Sequence, residues 1–340
     1  MSKKILVIGG AGYVGSALVP MLLNRGHYVR VLDTFWFGNV DSIFGDYLRR
    51  HRIGDPYRFC PFTGDIRNCD LEGIMGGMDV VIHLACISND PSFELNPDLG
   101  RSINYDAFLR VIRVAQEKEV KRFIFASSSS VYGVKSEPEV TEDLALEPLT
   151  DYSKYKAFCE MELRMIPTEK LPWVIIRPAT VCGYAPRLRL DLTVNALTIS
   201  ALTKNKITVF GGSQKRPNIH IFDMAELYVR LVDEEDEKII GQTFNAGGDN
   251  LSVSDIAFIV QNIVEEFKKS KAVIEIQQTN DLRSYHISSQ KIERELGWKA
   301  KLTVSGAVRN ITNAFYQHKI PKPENPKYYN IKTMQLLNVR

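Results

Sequence analysis

Residues 5–15 read Ile5-Leu6-Val7-Ile8-Gly9-Gly10-Ala11-Gly12-Tyr13-Val14-Gly15. Four consecutive apolar residues make a strand buried on both faces, because a strand wetted on one side would alternate apolar with polar. The glycines then turn the chain sharply. Tyr13 to Asn24 resumes with helical apolar spacing and stops at Gly26, a C-cap. Tyr28 to Asp33 is the next strand; Val80-Val81-Ile82, Phe123-Ile124-Phe125 and Trp173-Val174-Ile175-Ile176 follow. Between them, Asp106 to Glu119 carries Phe108, Val111, Ile112 and Ala115 on one helical face. Short, fully apolar strands alternating with helices predict an α/β protein with a doubly wound parallel sheet.

The chain has 340 residues, enough for roughly two domains at about 150 residues each. Its rhythm changes after Arg177-Pro178, where segments rich in Pro, Gly and Arg (185–192 and 211–218) replace the strands. This predicts a first domain over 1–177 and a smaller, mixed α/β domain over 178–340, with the chain crossing back to the first domain around 218–236. The tail from 319 to 330, dense in Lys, Pro and Tyr, reads as a surface strap.

Composition excludes several classes. Lys plus Arg number 43 and Asp plus Glu 40, a net charge of +3, which argues against a strongly basic nucleic-acid binder or a polyacidic tail protein. Five cysteines, an odd number with no C-x-x-C pair, predict neither a disulfide framework nor a zinc site, but reduced thiols in the cytoplasm. No apolar run approaches the ~18 residues of a membrane span, and glycines break the apolar stretch near the N-terminus that imitates a signal peptide. His83 and His220 lie in apolar runs and read as core residues, so no metal is expected.

The glycine segment has a chemical meaning in its strand–turn–helix context. One glycine makes the sharp turn, one admits a pyrophosphate close to the backbone, and one lets helix and sheet pack. Gly9, Gly12, Tyr13, Val14 and Gly15 would face a dinucleotide, whose phosphates meet the positive end of the helix. Asp33 ends the second strand about 20 residues on, where an acid can accept hydrogen bonds from ribose hydroxyls. A carboxylate there would repel a 2′-phosphate, and Thr34-Phe35-Trp36 supply no cation. The expected cofactor is NAD and not NADP.

Tyr152-Ser153-Lys154-Tyr155-Lys156 sets Lys156 one helical turn after Tyr152. A phenol with a pKa of about 10 is a poor base at neutral pH, and a nearby ammonium favours the phenolate. Lys156 is therefore expected to depress the Tyr152 pKa. Ser128 belongs to Ser127-Ser128-Ser129-Ser130-Val131-Tyr132-Gly133, which closes the Phe123–Phe125 strand. A serine at the carboxyl end of a parallel strand points into the ligand crevice.

With these motifs the chain resembles the extended short-chain dehydrogenase/reductase family, in its nucleotide-sugar epimerase/dehydratase branch. The resemblance rests on Gly9-x-x-Gly12-x-x-Gly15, Gly64-Asp65-Ile66-Arg67, His83-Leu84-Ala85, Asn104, Ala126-Ser127-Ser128, Tyr152-x-x-x-Lys156 and Arg177-Pro178. Further on it includes Arg216-Pro217-Asn218-Ile219-His220-Ile221-x-Asp223 and Asp281-x-Arg283-x-Tyr285. It implies a Rossmann-type fold, Asp65 and Ile66 beside the adenine, Leu84 and Ala85 along the cofactor cleft, and Asn104 steadying the catalytic helix. It further implies Ser128 as the residue bonding the reacting sugar hydroxyl, Tyr152 as base, and Lys156 on the nicotinamide ribose. On the substrate side it points to Asn195 and Arg216 at a diphosphate, with Arg283 a second candidate clamp and Phe210 either under the nucleotide base or in the core.

Chemistry within that branch diverges by what else surrounds the sugar. Dehydratases of the branch carry an Asp-Glu pair after the active-site Ser or Thr; here those positions are Ser129 and Ser130. The expected reaction is 4-epimerisation of a nucleotide-diphosphate sugar through a 4-keto intermediate. A net 4-oxidation or 4-keto reduction is the second reading, and a non-catalytic NAD-binding scaffold the third. Thr180 stands where many members of the family have Asn. The helices 106–119 and 152–165 each carry more apolar residues than one buried stripe needs, among them Leu109, Val114, Phe158, Met161, Leu163 and Met165. A homodimer through these helices is expected.

Overall fold

The computed structural model describes residues 2–53, 55, 58–137, 139–278 and 286–339. The first half of the chain supplies strands β1 (Lys4–Ile8), β2 (Tyr28–Asp33), β3 (Phe59–Thr63), β4 (Val80–His83) and β5 (Arg122–Ala126). The second half adds β6 (Trp173–Pro178), β7 (Thr180–Cys182), β8 (Lys206–Phe210), β9 (Lys215–His220), β10 (Thr243–Ala246), β11 (Asn250–Ser252) and β12 (Val273–Gln277).

Seven of these form one parallel sheet in the order β10-β6-β5-β4-β1-β2-β3. The unbroken apolar runs follow directly from burial on both faces. Ile5, Val7, Val31, Ile82, Ile124 and Ile176 enter one core, while Leu6, Ile8, Leu32, Val81, Phe123 and Ile175 enter the other. Period-2 alternation thus divides each strand between two apolar layers. Strand order reverses between β1 and β4, where Ile8 pairs with His83, so the carboxyl ends of these two strands open the crevice of a doubly wound sheet.

Two strands of this sheet escaped the sequence reading. β3 contains Pro61 and lies at the sheet edge, where a missing backbone donor is tolerated. β10 is only Thr-Phe-Asn-Ala, too short to show periodicity, yet it pairs with β6 at the opposite edge. The helix Ile221–Asp233 leads back to it, packing against the helix Tyr13–Asn24.

The smaller region is mixed. β9 pairs antiparallel with β11 and parallel with β7, and β12 pairs parallel with β8. Helices Thr193–Lys204, Val253–Lys268 and Val304–Tyr316 pack on one another. Their apolar faces join the core of the first sheet, so one cluster runs through both regions. The tail is not the exposed strap that its composition suggests. Tyr328 and Asn330 are buried, and in the helix Asn330–Leu337 Met334 packs into the first sheet's core, because these three side chains find partners on the body of the protein.

Candidate active site

The reversal of strand order opens onto a cleft of about 840 Å³. Gly9 is in the left-handed region (φ +81°), and a Cβ there would meet the Ala85 nitrogen at 2.5 Å. On Gly15 a Cβ would meet the Gly10 carbonyl at 2.3 Å. Both positions exclude side chains, which lets the turn fold tightly under the helix. No side chain caps the helix at Gly12, so the N–H groups of its first turn remain available to an anion.

Asp33 stands beside this turn. One carboxylate oxygen accepts from Ala11 N and the other from Phe35 N, both at 2.9 Å. Burial pushes its pKa above the ordinary carboxylate value against these hydrogen bonds. Farther along the wall is Asp65, held by the Arg67 guanidinium at 2.7 Å. Burial raises its carboxyl, but the Arg67 hydrogen bonds outweigh burial and leave it below the ordinary value. Gly9, Gly12, Tyr13, Val14, Gly15, Asp33, Asp65, Ile66, Leu84 and Ala85 all line the cleft.

Ser128, Tyr152 and Lys156 line the same cleft. Tyr152 and Lys156 lie on the helix Asp151–Met165, which starts with a capping box between Thr150 and Ser153. The Ser128 hydroxyl shares a 2.8 Å hydrogen bond with Ser130 and also faces the Tyr152 phenol, favouring its ionised form. Lys156 donates to the Ala126 carbonyl at 2.6 Å and lies 4.9 Å over the Phe125 ring.

One electrostatic expectation fails. Burial drives the Tyr152 pKa upward, the neighbouring Cys86 and Asp90 add to the rise, and Ser128 and Arg189 oppose it without reversing it. Lys156 is not among the leading influences on this phenol, and its ammonium bonds the Ala126 carbonyl at the end of β5.

A family model for the NAD-dependent epimerase/dehydratase family matches residues 5–247. The chain belongs to that family. An uncharacterized UDP-glucose epimerase of Bacillus subtilis is 31% identical over 267 residues, covering 76% of this chain and 82% of the relative. UDP-glucose 4-epimerase 2 of Arabidopsis thaliana is 27% identical, over 92% of this chain and 95% of its own. Among solved structures, UDP-glucuronic acid 4-epimerase of Bacillus cereus, in complex with UDP-glucuronic acid and NAD, superposes with a TM-score of 0.80. It is 27% identical and covers 92% of this chain and 99% of that one.

This epimerase-family enzyme is NAD-dependent, and its residues fit the cofactor. The uncapped helix faces the cleft beside Asp33, and two nitrogens of the buried Arg187 guanidinium in the cleft wall have no hydrogen-bond partner. Asn195, expected at a diphosphate, is instead consumed inside the protein, whereas Asn104, expected to steady the helix of Tyr152, accepts from Cys159 Sγ of that helix through its carbonyl. Asn104 is buried in a wide helical turn, accepting from Ile87 N at 2.8 Å and donating to Ile87 O at 3.0 Å. Asn195 accepts from Gly183 N and donates to Tyr13 Oη and Arg189 O, so both ends of its amide are occupied. Phe210 and Arg216 do line the cleft, and Phe210 is 56% exposed and thus no core residue. Arg283 lies outside the described residues. His83 is buried among Phe108, Phe123 and Phe125, and His220 accepts from Phe222 N as a helix cap. Among the described residues no cluster of His, Cys, Asp and Glu could hold a metal, and no helix is long and apolar enough to cross a membrane.

The sequence reading assigns no role to three arginines that the structure ties into the site. Arg177, in the sequence only half of a motif, binds Glu160, one turn beyond Lys156 on the helix that carries Tyr152. Arg187 and Arg189 stood out only as part of an Arg-rich run. Arg189 is paired with Asp191 and Ser88, within the cleft wall.

Proposed function

We propose that the protein is a cytoplasmic 4-epimerase of a UDP-sugar, acting through a transient 4-keto sugar. The observation that carries this reading is the meeting of Ser128 and Tyr152 in one cleft, one turn from Lys156, with serines and no carboxylate at 129 and 130. Tyr152 takes the proton from the C4 hydroxyl, and Ser128 holds that hydroxyl in line. Lys156 orients the nicotinamide ribose. When bound, NAD supplies a reversible acceptor for the C4 hydride. Without a carboxylate pair beside Ser128 there is no general acid to eliminate water from the ring, so the 4-keto sugar is returned rather than dehydrated.

In the same reading Gly9, Gly12, Tyr13, Val14 and Gly15 hold the cofactor phosphates, Asp33 its ribose, and Asp65 and Ile66 its adenine, with Leu84 and Ala85 along its length. Phe210 stacks under the nucleotide base and Arg216 meets the diphosphate of the sugar. The dinucleotide-binding domain spans 1–177 and the sugar-nucleotide domain 178–340, with the chain returning to the first sheet through β10. Five free thiols agree with a reducing compartment. The active form is a homodimer: Phe158, Met161 and Met165 leave an exposed apolar stripe on the helix that carries Tyr152. Val114 and Leu163, also expected there, belong to the protein's own core.

Purified protein incubated with a panel of UDP-sugars tests the reaction. A product inverted at C4, with no net NADH absorbance, supports epimerisation. Accumulating NADH would instead indicate an oxidase, and neither change would indicate a scaffold.

A further inference from the structure

Four cations among the described residues line the cleft: Lys156, Arg187, Arg189 and Arg216. Lys156 is bonded to the Ala126 carbonyl and Arg189 to the Asp191 carboxylate. Arg187 differs from both. It is buried, and its Nε and Nη1 meet no acceptor. Its remaining nitrogen, Nη2, donates to Asn330 Oδ1, and the guanidinium lies 3.8 Å over the Phe37 ring. The backbone of Arg187 donates to Ser16 Oγ at 3.2 Å, anchoring it against the first turns of the Tyr13–Asn24 helix.

The electrostatic neighbours define what is missing. Asp33 and Asp191 stabilise the Arg187 cation from a distance, while Arg189 repels it. Neither carboxylate bonds it: Asp33 accepts from the Ala11 and Phe35 backbone, and Asp191 accepts from Arg189 and from Asn330 N. A buried guanidinium without a counter-ion is unfavourable, and such a group becomes favourable when an anion enters beside it. Nε–H and Nη1 point to different sides of the planar guanidinium, so each offers its own hydrogen bond to an anionic oxygen. The dianionic group that the family's cofactor brings to an uncapped helix N-terminus is a pyrophosphate, and the glycine turn itself offers backbone N–H groups but no cation.

We propose that Arg187 is a cofactor-binding residue that grips the NAD pyrophosphate, supplying the cation that the glycine turn lacks. Asn330, from the far end of the chain, holds the guanidinium in place through Nη2 and is itself tied to Ser88. The C-terminal segment therefore helps to retain the cofactor without touching it. The inference rests on NAD dependence and not on the identity of the sugar.

The test uses Arg187→Met and Arg187→Lys in the full-length protein stripped of nucleotide. Calorimetric titration gives the Kd for NAD and, separately, for UDP; thermal unfolding is followed without ligand. Loss of a charge-assisted contact should weaken NAD binding by about tenfold or more in Arg187→Met, with a smaller loss in Arg187→Lys. UDP affinity should not change, and the unfolding temperature without nucleotide should hold or rise, because an unpaired buried charge has been removed. NAD binding within twofold of the parent would overturn the proposal. So would a loss confined to UDP, which would assign the arginine to the sugar nucleotide. If the ligand-free protein is destabilised in both variants, Arg187 is a packing residue and the proposal fails. Should the Met variant not fold, the Lys variant decides by the same criteria.

Discussion

Glu160 and Arg177 form a two-point ion pair, 2.7 Å at its shortest, with neither side chain more than 2% exposed. The pair is not isolated. Ser127 donates to Glu160 at 2.5 Å, and Arg177 donates to Tyr132 Oη at 2.7 Å, which in turn donates to Asn245 in β10. Glu160 lies one turn after Lys156, so this network fastens the helix bearing Tyr152 and Lys156 to the ends of β5 and β6. Removing one member leaves the other charged and buried. Arg177→Met should therefore destabilise the protein by about 3–5 kcal/mol, read from denaturant unfolding. The double variant Arg177→Met with Glu160→Leu should recover part of that loss, and an additive result would contradict the coupling.

Tyr152→Phe removes the phenol while keeping the ring. NAD affinity should be retained and turnover should fall by a factor of ~10²–10⁴, as for loss of a general acid–base group. Because burial raises the Tyr152 pKa, the fraction ionised is small at neutral pH and grows as pH rises. In the parent enzyme kcat/KM should accordingly rise from neutral toward alkaline pH, and that rise should be absent from the residual activity of Tyr152→Phe.

Asp33 should govern the choice between NAD and NADP. Asp33→Ala is expected to weaken NAD by about tenfold or more, the value of a charge-assisted hydrogen bond to the ribose, and to lessen discrimination against NADP. Competitive titration with the two dinucleotides checks this; equal affinity of the parent for both would refute the assignment.

His83 makes a prediction about acid. Burial among phenylalanines and the Lys156 charge pull its pKa from the ordinary 6.5 to about 3. Above pH 6.5 the imidazole is neutral in both folded and unfolded chains and contributes no pH dependence. Between about pH 6.5 and 3 only the unfolded chain takes up the proton, so stability falls as pH falls, by at most about 1.4 kcal/mol per pH unit. His83→Phe should flatten the acid limb of the unfolding free energy over that window and leave the limb above pH 7 unchanged.

The proposed homodimer predicts that Met161→Glu, at the exposed centre of the apolar stripe, lowers the mass seen by light scattering and lowers activity with it. Met161 is a better probe than Leu109, which is partly packed against its own core. A fully active monomeric parent at micromolar concentration would refute this assembly.

What was legible in the sequence was whatever depends on neighbours along the chain. The strands of the sheet interior announce themselves by continuous apolar runs, since each must fill two cores. The turn at Gly9–Gly15 is readable because only glycine fits against Gly10 and Ala85. Asp33, Ser128, Tyr152 and Lys156 were placed by their positions at strand ends and one helical turn apart. Tertiary structure alone decided the rest. Asn195 is consumed by Tyr13, 182 residues away, and Arg187 is held by Asn330, 143 residues away. The direction of the Lys156 ammonium, the rise of the Tyr152 pKa and the solitude of the Arg187 fork are matters of which dipoles and charges surround a buried group. Those surroundings come from distant segments of the chain, and no local pattern encodes them, because desolvation and Coulomb interaction depend on distance in space and not on separation in sequence.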